Sequence, residues 1–243
     1  MPRKKIILFI VEGISDQTCL SLALSRLLSS NRVQFKITNG DITTEENASP
    51  ANISKALGSV VKSFLSGVFK PSDIQEVVHL IDTDGAFVPD SAVQPHPPTS
   101  GPNTHSATNC TYTTNCIYTD KVQLIRDRNA KKKQILNKLS STTQVLKNIP
   151  YSAYFFSCNL DHALHNCNNL SAADKMKKAE EFENQYAKDL TGFVSFIKDP
   201  VFAVSGNYIE SWAFIKLDTN SLKRYSNFHL YPPLSTSPTA NVP

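Results

Sequence analysis

The chain is defined first by what it has little of. Among 243 residues there are only five cysteines, one tryptophan and two methionines, and the formal net charge is just +4. An odd handful of cysteines argues for free thiols rather than a disulfide framework, so the Asn-x-Ser/Thr triplets such as Asn109-Cys-Thr111 carry no glycosylation meaning. No stretch approaches the roughly 18 apolar residues that would span a bilayer. Met1-Pro-Arg-Lys-Lys resembles a secretory n-region, but only six apolar residues follow before Glu12. That is shorter than the roughly 7–15 residues a secretory core requires, so a soluble, cytoplasmic protein with no membrane association is expected. No Gly-x-x-x-x-Gly-Lys-Ser/Thr phosphate loop is present, which excludes that kind of nucleotide hydrolysis from this sequence. The mild positive charge is compatible with a polyanionic partner without identifying one.

What is there begins with Ile6-Ile-Leu-Phe-Ile-Val11, a β-branched apolar run that reads as a strand buried on both faces. It ends at Glu12-Gly13, with Ser15 as the expected N-cap of a helix carrying Leu20, Leu24, Leu27 and Leu28 at helical spacing. Val77-Val-His-Leu-Ile81 repeats the layout, with Asp82 and Asp84 just past its end. Ligands of open α/β sheets bind outside the carboxyl ends of the strands, so two strands ending in carboxylates predict one acidic site.

Between them, Val33–Thr38 alternates as a strand, Asn39-Gly-Asp41 turns it, and the apolar positions of Asn52–Phe69 predict an amphipathic helix stopped by Pro71. From Pro89 to Tyr118, prolines crowd among Ser, Thr, Asn and His, and the composition predicts a mobile insertion (88–120), either a lid beside the acids or an inert loop. Cys110, Cys116, His96 and His105 within it are metal-binding residue types at no standard zinc spacing.

The segment Arg126-Asp-Arg-Asn-Ala-Lys-Lys-Lys133 places five positive charges in eight residues. Arg126, Arg128, Lys131, Lys132 and Lys133 are therefore candidates to hold the phosphates of a nucleic acid, the alternative being a solvated helix face. Tyr151–Ser157 reads as another strand, followed by Asn159, Asp161, His162 and His165. A rival reading takes Cys158, His162, His165 and Cys167 as a zinc site. Ser171–Phe196 reads as one long helix with Ser171 as N-cap and Asp174 in the capping-box position. Pro200 ends it, Val201–Val204 is a short strand, and Trp212 is expected to anchor the core. Glu210 and Lys216 either approach the site or are surface charges, and the last dozen residues are expected to fray.

An apolar strand ending Val-Glu-Gly-x-Ser-Asp (residues 11–16) and a later one ending Asp-x-Asp-Gly (82–85) together resemble the two signature motifs of the TOPRIM superfamily, closest to its OLD-type, defence-associated nucleases. The resemblance spans roughly residues 5 to 90. It implies an α/β fold: a Rossmann-like, mostly parallel sheet flanked by helices over residues 1–165, with a helical or mixed extension over 166–243. It further implies a nuclease that hydrolyses phosphodiester bonds of DNA or structured RNA with a pair of Mg²⁺ or Mn²⁺ ions. Glu12, Asp16, Asp82 and Asp84 would be catalytic residues and metal ligands, and Ser157 and Asp161 would resemble a second metal position. Antiphage defence with a separate ATPase partner also follows from the resemblance, while the oligomeric state, a homodimer included, stays open. Hard oxygen donors favour magnesium or manganese over zinc. Two other readings stand beside it: a non-catalytic TOPRIM scaffold that binds nucleic acid or protein, and a dehalogenase-type phosphatase in which Asp82 of Asp-Thr-Asp-Gly is the nucleophile.

Overall fold

A computed structural model describes residues 4–97 and 110–235. Its elements, in order, are β1 (Ile6–Val11), α1 (Ile14–Leu27), β2 (Arg32–Ile37), α2 (Ile53–Leu65), β3 (Ile74–Asp82), β4 (Val93–Gln94), β5 (Cys110–Tyr112), β6 (Ile117–Thr119), α3 (Val122–Ser140), β7 (Gln144–Val145) and β8 (Ile149–Ser157). They continue with α4 (Leu160–His165), α5 (Ala172–Tyr186), α6 (Leu190–Ile197), α7 (Tyr208–Phe214), β9 (Tyr225–Ser226) and α8 (Pro232–Ser235).

The central sheet runs β2-β1-β3-β8-β7, with β9 also on β8. Its four long strands are parallel to one another, and the two short edge pieces β7 and β9 are antiparallel to β8. This is the α/β, mostly parallel architecture expected. The uninterrupted apolar character of β1 follows from its period-two geometry. Ile6, Leu8 and Ile10 face the layer of α2, α3 and α7, and Ile7, Phe9 and Val11 face the layer of α1, α5 and α6. Phe9 meets Tyr231 and Phe228 edge to face, and Tyr154 meets the same two rings. Burial of each such side chain is worth about 1.5–3 kcal/mol.

Because β1 feeds β2 on one side and β3 lies on the other, the strand order reverses between β1 and β3. The crevice at such a switch point is where an open sheet binds its ligand.

Several expectations are corrected. Ser15 lies inside α1, whose N-cap is Gly13. The described flanks of the supposed mobile insertion form an ordered three-stranded sheet, β4-β6-β5, whose residues Val93, Cys110 and Ile117 are buried against Ile125 and Leu222. His105 lies outside the described residues, as does the insertion from 98 to 109. The long helix divides into α5 and α6, because the Asp189 carboxylate accepts from the Gly192 N–H and starts a new helix. Ser171 does cap α5, its hydroxyl oxygen accepting from the Asp174 N–H. Val201–Val204 contributes a single bridge, Ala203 to Ser226, rather than a strand. Trp212 is buried against Phe155, as expected. Of the last dozen residues, expected to fray, 232–235 form a helical turn with Leu234 fully buried, and 236–243 lie outside the described residues. Among the described residues no helix is long and apolar enough to cross a membrane.

Candidate functional site

The carboxyl edge of the sheet gathers acids from three neighbouring strands. Glu12 follows β1, Asp82 ends β3 and Asp84 lies two residues on, while Asp41 follows β2. Glu12, Asp41, Asp82 and Asp84 line one cleft of about 420 Å³, together with Tyr112, Arg128, Asn159, Asn168, Asn169 and Lys175. Glu12 and Asp82 also border a second hollow with Asp16 and Lys175.

The turn that presents Asp84 is held from several sides. Asp84 and Gly85 both have left-handed backbone, at φ 47° and 67°. The Asp84 N–H donates to the Cys158 carbonyl at 2.8 Å, and the Thr83 hydroxyl donates to the Ser221 carbonyl at 2.8 Å. From α3, Arg128 donates to the Asp84 carbonyl at 3.0 Å and Asn129 to the Gly85 carbonyl at 3.4 Å. At Gly85 an added Cβ would lie 2.6 Å from Leu222 Cδ2 and 2.9 Å from Ile117 Cδ1. Gly85→Ala should therefore cost about 1–2 kcal/mol for the left-handed backbone, plus the displacement of those side chains. An unfolding free energy from urea denaturation that changes by less than about 0.5 kcal/mol, the scale of a neutral surface change, would show that the turn relaxes freely.

Lys132 departs furthest from expectation. Rather than meeting phosphates at the surface, it is fully buried, its Nζ 2.7 Å from Asp41 Oδ2 and 2.6 Å from Asp84 Oδ2. The Asp41 carboxylate also accepts from the Thr43 N–H and hydroxyl. Burial alone would lower the Lys132 pKa, but Asp41, Asp84 and Glu12 together hold it well above the ordinary lysine value. Burial likewise works against the charge on Asp41, yet Lys132 and the Thr43 donors bring that carboxyl below its usual range.

Three of the other four basic residues are also committed. Arg126 donates to the carbonyls of Asp90 and Val93, Arg128 to Tyr112 Oη as well as to Asp84, and Lys131 to the Glu45 carbonyl. Lys133 alone of the five is exposed. The segment is thus a clamp between α3 and the cleft, and the continuous phosphate-binding strip expected there is withdrawn.

Glu12 and Asp82 stand in the opposite condition. Burial, then Asp41 and Asp82, pushes the Glu12 carboxyl well above its usual range, and burial, then Asp16 and Asp84, does the same for Asp82. Asp82 Oδ1 accepts from the Leu160 N–H at 2.9 Å. Neither forms an ion pair among the described residues. Asp16 has a local duty: its Oδ2 accepts from the Gly13 N–H and closes the first turn of α1. Burial raises its pKa too, partly offset by that bond.

The expected second metal position is not assembled. The Ser157 hydroxyl is buried and donates to the Asn220 carbonyl, and Asp161 Oδ2 pairs with Lys175 Nζ at 2.7 Å. Asp161 Oδ1 is buried without a hydrogen-bond partner. The zinc reading fails on direction. The His162 ring accepts from the Cys158 N–H and burial lowers its pKa to about 4, whereas His165 turns toward Cys19, its Nε2 3.7 Å from Sγ. Glu210 caps α7 by accepting from the Asn207 N–H, and Lys216 lies over the Phe87 ring.

Among the described residues no three His, Cys, Asp or Glu side chains converge as a ready-made metal cage. The donor set nonetheless suits magnesium, which keeps several waters and is usually held by one or two carboxylates plus substrate phosphates. Among the described residues, six carboxylates (Glu12, Asp16, Asp41, Asp82, Asp84 and Asp161) interact chiefly with three cationic groups, Lys132, Lys175 and Arg128. Protons or an added cation must balance the remainder.

Asp41 and Lys175 were not anticipated from the sequence. Asp41 had a signal, since it follows a parallel strand as Glu12 does; Lys175 lay inside the expected long helix, where nothing local marks it as lining the cleft. Across the cleft, Asn169 clasps β5: its side-chain oxygen accepts from the Tyr112 N–H and its amide donates to the Tyr112 carbonyl, both at 2.9 Å. Comparison of the chain with protein-family models, curated proteins and solved structures finds no match.

Proposed function

We propose that this protein is a divalent-cation-dependent phosphodiester hydrolase acting on nucleic acid, with Glu12 and Asp82 holding the cation. One observation carries the reading. Two carboxylates, delivered by neighbouring strands to the switch point of the sheet, are both driven toward protonation, and neither forms an ion pair among the described residues. A magnesium or manganese ion bound there supplies Lewis-acid polarisation of a phosphoryl oxygen. Around it, Asp84 is fixed by Lys132 and by the α3 contacts to its carbonyl. Lys175, which lines the same cleft and is partly exposed, offers a positive charge to an entering phosphate.

The test incubates the protein with plasmid, single-stranded DNA and total tRNA in magnesium, manganese or EDTA. Cleavage is expected with either ion and none with EDTA; cleavage that survives chelation removes the metal from the mechanism. Binding without cleavage under any ion would favour a scaffold. Hydrolysis of p-nitrophenyl phosphate with an aspartyl-phosphate on Asp82 would favour the phosphatase.

A further inference from the structure

We propose that the cleft takes one divalent ion rather than two, because the Lys132 ammonium is built in as its second cation. The inference rests on the reading of Glu12 and Asp82 as the place of the first ion.

Asp41 follows β2 and Asp84 follows β3, so the pair flanks the end of β1, where Glu12 lies. Two carboxylates so placed are what a second metal ion would bridge. Lys132 Nζ already bridges them at 2.7 and 2.6 Å, and a hydrated ion cannot share that space. The lysine is not free to leave. Its stem lies in the buried stripe of α3 with Ile125, Asn129, Leu136 and Leu139, and its side chain has no exposed surface. Arg128 and Asn129, on the preceding turn, fasten the same α3 face to the carbonyls of Asp84 and Gly85. The Thr43 N–H and hydroxyl occupy further acceptor positions on Asp41.

On the other side of Glu12 the arrangement is open. Lys175 pairs with Asp161 but is 39% exposed, so it can swing aside, and among the described residues neither Asp82 nor Glu12 forms an ion pair. An ammonium also differs from a metal ion in use: it supplies one positive charge and hydrogen-bond donors, and a chelator cannot extract it. Activity should therefore depend on the free ion concentration through a single class of site.

The experiment titrates the full chain with Mn²⁺ alone and counts bound ion by the loss of the free Mn²⁺ paramagnetic resonance signal. Wild type is expected to bind one Mn²⁺ per chain, with a Hill coefficient near one. Lys132→Ala, refolded in Mn²⁺ where it does not fold without it, leaves Asp41 and Asp84 facing each other and is expected to bind two. Two ions in wild type overturn this inference alone, and so does a count that stays at one in Lys132→Ala. No bound ion in either protein overturns the metal reading of Glu12 and Asp82 together with this one.

Discussion

Replacing Lys132 by methionine is expected to lower the stability of the metal-free protein by about 3–5 kcal/mol, the usual consequence of removing one partner from a buried ion pair. Methionine keeps most of the stem that packs in α3, so the loss isolates the ammonium. Two carboxylates would remain, 10% and 22% exposed, with no positive charge between them. Adding Asp41→Asn to Lys132→Met should recover part of the loss, since one of the two stranded charges is gone and the Thr43 contacts can persist with the amide oxygen. Urea denaturation of the three proteins checks this. A change below about 1 kcal/mol in the single variant, the range of an exposed salt bridge, would mean that Lys132 is not buried as described.

The second large effect is expected at Asp82. Asp82→Asn should lower metal-dependent cleavage by at least about 10²–10³-fold, the scale of removing one electrostatic contact to a transition state, while stabilising the metal-free protein. The sign follows from the raised carboxyl groups. In the folded chain Glu12 and Asp82 hold protons more tightly than they do unfolded, so between the unfolded and folded pKa values the folded state binds more protons. Their ionisation thus costs stability as pH rises through the folded pKa. Metal-free wild type should be more stable in mild acid than at neutral pH, until Asp41, whose pKa is lowered, begins to take up a proton and its pairing with Lys132 is lost. Asn at position 82 keeps an acceptor for the Leu160 N–H and removes part of that slope. Thermal midpoints across pH, with and without Mn²⁺, read both effects. A variant that retains cleavage, or a wild type whose metal-free stability rises toward neutrality, contradicts the assignment.

The parallel strands were legible because an apolar, β-branched run six residues long has few other uses in a chain of this composition. Strand ends then located Glu12 and Asp82. Asp41 obeyed the same rule but was read as part of a turn; it is both, since Asn39 and Gly40 at positive φ turn the chain and the next residue faces the cleft. The basic segment was misjudged because charge was counted without helical position. Lys132 stands three residues after Asn129 and four before Leu136, inside the buried stripe, and a lysine there must carry its charge to an acid within the protein. The split between α5 and α6 was hidden because the whole span read as one capped helix, in which Asp189 was given no role of its own. The pairings that close the cleft join residues far apart in the chain, such as Tyr112 with Asn169, and no local pattern announces them.

That last pairing also sets a clock. The Asn169 side chain imitates a neighbouring strand, giving Tyr112 both a donor and an acceptor. Each such bond is worth about 0.5–1.5 kcal/mol net, so if nothing else held that edge the clasp would stand unlatched for roughly one per cent to a tenth of the time. Tyr112 and Asn169 both line the cleft, so opening of the clasp would loosen that part of its lining through an asparagine that touches no acid. The backbone amide of Tyr112 reports the interval directly: its hydrogen-exchange protection should fall in Asn169→Ala while the amides of β1 keep theirs. Unchanged protection would mean that this edge is held by other contacts.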